Sequence, residues 1–203
     1  MPRVALSQIE VEEFRDTLCD YATRLFAKQG YEGVTMRALA TGLGCSPMTP
    51  YRYFENKAEI FDAVRSAAWN RFAVALECSI EDVTEHPARL RALARAYVQF
   101  GLDEPYAYRI MFELDQDQSP ETGREPDRRS WLVMHDAVSE AVANGAVKGE
   151  PNVVAHLLWS GMHGLVALHL SGMLRLGLEL EELVDAFIDR ELSRPSVPTA
   201  MPQ

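Results

Sequence analysis

Phe14, Leu18, Ala22, Leu25 and Phe26 fall at i, i+4, i+8, i+11 and i+12, which places them on one face of an α-helix. The same period returns in Ile60, Phe61, Val64, Ala68, Phe72 and Leu76, and again over about 87–102, 105–114, 128–144, 151–173 and 179–193. Sustained alternation of apolar and polar residues, the mark of a strand, is missing. The chain is therefore expected to be all-α, with about nine helices. Start and stop signals agree. Ser7 with Glu10 and Asn56 with Glu59 have capping-box spacing. Gly30 is placed to end the first helix. Pro87, Pro105 and Pro151 each stand at the first turn of an apolar-periodic run, where proline is tolerated. Residues 115–127 read as a polar loop, and 195–203 as a Pro-rich flexible tail.

With 203 residues the chain can bury a sizeable core. A composition that is 47% hydrophobic and 25% charged excludes collagen-like, low-complexity and wholly disordered classes. Three cysteines, Cys19, Cys45 and Cys78, form no disulfide framework and point to a reducing, cytoplasmic setting. A net charge of −10 excludes a protein that coats nucleic acid by bulk charge. The balance is uneven, however. Residues 24–57 hold Arg24, Lys28, Arg37, Arg52 and Lys57 against Glu32 and Glu55, a basic island suited to one local anionic contact.

No Asp, Glu, Lys or Arg occurs from Pro151 to Leu174, a run long enough to cross a bilayer. His156, His163 and His169 lie inside it and would be costly in hydrocarbon. A helix buried in a core or a subunit interface is the better reading, and no membrane partner is expected.

Residues 35–54 read TMRALATGLGCSPMTPYRYF. Thr35 can cap a short helix whose Leu39, Ala40 and Leu43 face inward. Gly44 permits a left-handed turn, and Ser46 can cap a second short helix with Pro47 at its first position. Two short helices joined by a Gly-containing turn describe a helix-turn-helix. The second helix would expose Pro47, Met48, Thr49, Tyr51, Arg52 and Tyr53. Thr49 offers a hydroxyl and Met48 an apolar surface for base edges. The tyrosines and Lys57 can reach phosphates. An ordinary helical hairpin with exposed tyrosines is the alternative on pattern alone.

Residues 18–64 resemble the DNA-binding domain of the TetR (tetracycline-repressor-like) family. The shared motifs are A-x-x-L-F-x-x-x-G-Y from Ala22 to Tyr31, T-x-R-x-L-A from Thr35 to Ala40, G-x-S from Gly44 to Ser46, and T-x-Y-x-Y-F-x-N-K from Thr49 to Lys57. The resemblance implies DNA contacts at Arg37, Thr49, Tyr51, Tyr53 and Lys57, and with Thr35, Ser46, Pro47, Met48 and Arg52 these are the candidate DNA-binding residues. Pro50 departs from the family pattern, which has an apolar residue there, and removes an early bond to the Ser46 carbonyl. Trp159 to Gly164 (WSGMHG) resembles the so-called WHG C-terminal domain of one subfamily, and Tyr108 to Phe112 fits it too. The family implies a C-terminal helical domain that binds an effector and forms a homodimer.

Ser160, Gly161 and Gly164, with Leu168, make a flat strip suited to close helix approach, so a four-helix dimer interface is expected; an intramolecular core helix is the alternative. Candidate neighbours of an apolar effector pocket are Phe100, Met111, Trp131, Met134, Trp159 and His163, with His135 as a hydrogen-bonding group. Core packing is the alternative reading for each. His156 and His163 are two turns apart, about 10 Å, too far to share one ion. No metal, cofactor or catalytic residue is expected.

The sequence thus predicts an N-terminal three-helix bundle with a helix-turn-helix (1–56), a helical effector-binding and dimerisation domain (57–194) and a tail (195–203). It predicts a regulator, a repressor by family expectation, that binds a pseudo-palindromic operator in double-stranded DNA as a homodimer and is released by a small, mostly apolar effector. A small helical enzyme or a ligand-binding module using the C-terminal pocket is the alternative.

Overall fold

A computed structural model describes residues 8–112, 114, 125–174 and 177–193. Among the described residues it is all-helical, with eight α-helices and one 3₁₀ turn. In chain order these are α1 (Gln8–Gly33), α2 (Met36–Gly42), the 3₁₀ turn Pro50–Arg52, α3 (Lys57–Ile80), α4 (His86–Asp103), α5 (Pro105–Phe112), α6 (Glu125–Ala143), α7 (Pro151–Leu170) and α8 (Leu180–Leu192). The 3₁₀ turn stands where the ninth helix is expected. The Ser7–Glu10 cap, the 195–203 tail and most of the 115–127 loop lie outside the described residues.

Local chemistry accounts for the helix ends. Gly30 interrupts α1 with φ +72°, and three residues follow beyond the kink. The Thr35 side chain accepts the Ala38 N–H at 3.1 Å and opens α2. At its far end the Cys45 N–H donates to the Ala40 carbonyl and the Gly44 N–H to that of Thr41. This Schellman pattern needs a left-handed residue, and Gly44 supplies it at φ +65°. Asn56 accepts the Glu59 N–H at 3.0 Å, while the Glu59 carboxylate accepts from the Glu55 N–H at 2.6 Å. The Asn56–Glu59 pair therefore starts α3, with the return bond shifted one residue upstream. Glu150 caps α7 by accepting from Asn152 and Val153, with Pro151 at the first position.

The chain divides into two compact units. The first holds Met1–Trp69 and Tyr106–Arg124; the second holds Asn70–Pro105 and Glu125–Gln203. This division falls inside α3, downstream of the 56/57 boundary read from the sequence, and α5 from Tyr106 onward joins the first unit. Leu18, Phe26, Val34, Leu39, Phe54, Ile60, Phe61 and Ile110 are buried at its core. Phe26 meets Phe61 edge-on at 5.1 Å, and burial of such a ring contributes about 1.5–3 kcal/mol.

In the second unit α4, α6, α7 and α8 pack on one another. Phe72 of α3 lies against Tyr97 and Phe100 of α4 at about 5 Å. Ala155, Leu158, Met162 and Val166 form the buried face of α7. Val153, Leu157, Ser160 and Leu168, on its opposite face, are exposed. By length and composition α7 could cross a membrane.

Candidate nucleic-acid interface

The segment between α2 and α3 is held from beneath and open above. Pro50 is buried and Phe54 is 2% exposed, with the Arg15 guanidinium 4.6 Å from the Phe54 ring centroid. Ser46, Pro47, Met48, Tyr51 and Arg52 are exposed, and Thr49 is half-buried. The backbone winds more tightly than an α-helix. Thr49 N–H donates to the Ser46 carbonyl at 2.8 Å, Arg52 N–H to Thr49 at 3.0 Å, and Tyr53 N–H to Pro50 at 3.0 Å. These three are i to i+3 bonds, and the Phe54 N–H then closes an i to i+4 bond on the Pro50 carbonyl at 3.1 Å. Pro50 has no N–H to give the Ser46 carbonyl, so the carbonyl takes the Thr49 N–H instead. The sequence predicts an α-helical recognition element; successive tight turns closing in a 3₁₀ turn are what these residues form.

Thr35 and Arg37 are exposed at the start of α2, the Thr35 hydroxyl being engaged as a cap. Tyr53 and Lys57 are held more closely. The Tyr53 ring stacks on Phe14 at 4.7 Å. The Lys57 ammonium donates to the Tyr31 carbonyl at 2.9 Å, lies 4.2 Å from the Tyr31 ring centroid and pairs with Glu32 at 3.6 Å. Burial raises the Tyr31 hydroxyl above its ordinary range, with the Glu32 and Asp62 charges acting in the same direction.

The effector candidates are divided between the two units. Phe100 and Met134 are buried in the second unit, and Met111 is buried in the first. His163 is half-buried. Trp131, His135 and Trp159 do meet, with His135 6.0 Å and Trp159 6.1 Å from Trp131 between ring centroids. His156, which is not among the candidates, comes nearer, at 4.4 Å from Trp131. Its i, i+3 spacing with Trp159 is the signal in the sequence that points to it. A groove of about 430 Å³ is lined by Glu77, Arg128, Arg129, Leu132, Val133 and Asp136, none of them a candidate. Within it Arg129 donates to both Glu77 oxygens and to Asn70.

The interface candidates separate by their surroundings. A Cβ added at Gly161 would collide with the Phe187 ring of α8 in the same chain, so this glycine serves the α7–α8 approach. One at Gly164 would meet nothing within 4 Å. Ser160 and Leu168 are exposed beside it.

Residues 18–64 match the family model described as bacterial regulatory proteins of the tetR family, and residues 90–190 match that of a tetracyclin repressor-like C-terminal domain. The chain belongs to the TetR family. The first match runs from α1 into α3 and contains the whole segment described above; the second runs from α4 into α8. Among relatives of this TetR-family chain is the HTH-type transcriptional activator FasR of Mycolicibacterium smegmatis. It is 26% identical over 157 residues, covering 77% of this chain and 69% of that one. A protein of unknown function from Rhodococcus sp. RHA1 superposes with a TM-score of 0.75 at 27% identity, over 93% of this chain and 95% of that one. AibR, solved with isovaleryl coenzyme A and operator DNA, shares the fold, with a TM-score of 0.72 at 22% identity over 86% and 95% of the two chains. The TetR-family chain is a transcription regulator with a DNA-binding helix-turn-helix.

Proposed function

We propose that this regulator binds a pseudo-palindromic operator as a homodimer, presenting one 46–53 segment to each of two successive major grooves about 34–36 Å apart. The observation that carries the reading is the sorting of that segment, with Pro50 and Phe54 buried and Met48, Tyr51 and Arg52 exposed. Arg37 and Arg52 supply charge for phosphates, and the Tyr51 hydroxyl is a phosphate donor. The uncovered face of α7 supports self-association. It carries Val153, Leu157, Ser160, Gly164 and Leu168 and no charged residue. Burying such a face against its own copy removes apolar surface from water without stranding a charge.

A small, mostly apolar effector acting on the second unit would release the DNA. Helix α3 runs unbroken from Lys57 to Ile80 and contributes residues to both units, which makes it the lever of this proposal. The coupling equals the difference in effector affinity between the DNA-bound and released states, typically ~1–3 kcal/mol. Repression follows from occlusion of a promoter by the bound dimer. FasR is named an activator, so the sign is to be read from transcription itself.

The test is a mobility shift on DNA flanking the gene, at several salt concentrations with unrelated competitor. Saturable binding that survives competitor and weakens steeply with salt supports the reading. Tyr51→Phe is expected to weaken that binding several-fold at every salt concentration. Unchanged affinity removes its hydroxyl from the contact set.

A further inference from the structure

We infer that Met48 reads the 5-methyl group of a thymine in each operator half-site, an assignment that rests on unit 1 being the operator-binding surface. A lone exposed methionine carries no meaning on an ordinary surface. Here it stands in a segment that buries two of its apolar residues and leaves Met48 in the open. Pro50 and Phe54 point into the core, whereas Met48 is 68% exposed, with Tyr51 at 48% three residues on. Elsewhere in unit 1, the exposed Tyr106 ring has the Lys28 ammonium 5.5 Å from its centroid.

The backbone beneath Met48 is pinned. The Ser46 hydroxyl accepts the Met48 N–H at 3.4 Å, and the Ser46 carbonyl accepts the Thr49 N–H at 2.8 Å. Pro47 fixes φ on one side and Pro50 on the other. The side chain is thus delivered at little backbone entropy cost, and its three rotatable bonds let it fit an uneven surface.

Chemistry then selects the partner. A thioether has no hydrogen to donate and accepts only weakly. It gains nothing from a phosphate or from the donor and acceptor edges of guanine, cytosine or adenine. The apolar group on the major-groove edge of a natural base pair is the C5-methyl of thymine. Ser46 and Pro47, exposed beside Met48, bring no charge that would compete for the position.

The experiment uses an operator recovered by selection. Each thymine is replaced in turn by deoxyuridine, which deletes only the methyl. The full-length protein, Met48→Ala and Met48→Leu are titrated on every probe. The expected result is one thymine per half-site whose replacement weakens the native protein about fourfold, the worth of one buried methyl-sized group. Met48→Leu keeps that penalty and Met48→Ala loses it. A penalty retained by Met48→Ala at the same thymine, or no such position for the native protein, overturns the assignment. Should Met48→Ala bind too weakly to titrate, 5-iododeoxyuridine photocrosslinking of the native protein decides. A crosslinked peptide containing Met48 supports the assignment, and one from elsewhere in the chain overturns it. Failure of the native protein to bind any unmodified operator specifically is a different result, because it removes the functional reading along with this one.

Discussion

Burial pushes the Cys19 thiol up from 9.0 to about 11, outweighing the Arg15 charge that pulls it down. A thiol that stays protonated is a poor nucleophile. Alkylation at pH 8 is therefore expected to label the exposed Cys78 first and spare Cys19 until the protein is unfolded, as peptide mass mapping would show. The same shift sets a pH dependence. Below pH 9 both folded and unfolded states hold the proton, and the contribution to stability is complete. Between about 9 and 11 only the unfolded state loses it, so stability falls as pH rises. Cys19→Ala is expected to lose less stability than the native protein between pH 8 and 10.5 in denaturant titrations. Lys57 is the second case. Its ammonium is committed to the Tyr31 carbonyl and ring. Lys57→Met is expected to cost about 1–2 kcal/mol of stability while leaving the slope of log affinity against log salt unchanged. A slope smaller by about 0.9 would instead assign the ammonium to a phosphate. The positive charge of Lys57 is legible in the sequence; its partner is not, because Tyr31 lies 26 residues away and only the fold brings the two together.

Helix ends follow from short-range chemistry, which is why the roles of Thr35, Gly44, Asn56 and Pro151 are legible in the sequence alone. Thr35→Ala removes the acceptor for the Ala38 N–H. It is expected to cost about 1 kcal/mol, measurable as a lower thermal midpoint. The recognition element shows where local reading ends. Ser46 and Pro47 signal a helix start, but Pro50 four residues later cancels the bond that would have made it α-helical. Its burial is set by the fold around it, which no pattern within the segment reveals. Pro50→Ala restores the missing N–H. The expected result is more helix by circular dichroism and weaker operator binding, as Met48, Tyr51 and Arg52 rotate out of their present register. Operator affinity equal to that of the native protein would show that the tight winding is incidental to recognition.

Across the whole chain, the all-α class and the family rest on motifs dense enough to be read directly, and the family matches at 18–64 and 90–190 agree with them. The effector candidates rest on residue type, and type does not say which helices come together. Met111 accordingly lies in the first unit, while Trp131 and Trp159 pair in the second. Gly161 and Gly164 look alike in sequence, yet one receives Phe187 of its own chain and the other faces open space. That difference gives a clean test of self-association. A Cβ at Gly164 meets nothing of its own chain within 4 Å, so Gly164→Leu is expected to fold normally, yet to sediment as a monomer at micromolar concentration where the proposal expects the native protein to be a dimer. A dimer left intact would move the interface off this face of α7.

The central claim, that paired 46–53 segments read DNA sequence, is tested most directly by selecting binders from a random duplex pool with the full-length protein. The account predicts enrichment of an inverted repeat whose half-sites lie one helical turn apart, centre to centre about 10–10.5 base pairs, or a whole multiple of that. It also predicts that an Arg52→Ala, Tyr51→Phe double variant fails to enrich the repeat while keeping the native fold. A pool that stays random through successive rounds, or a repeat enriched equally by the double variant, would contradict it.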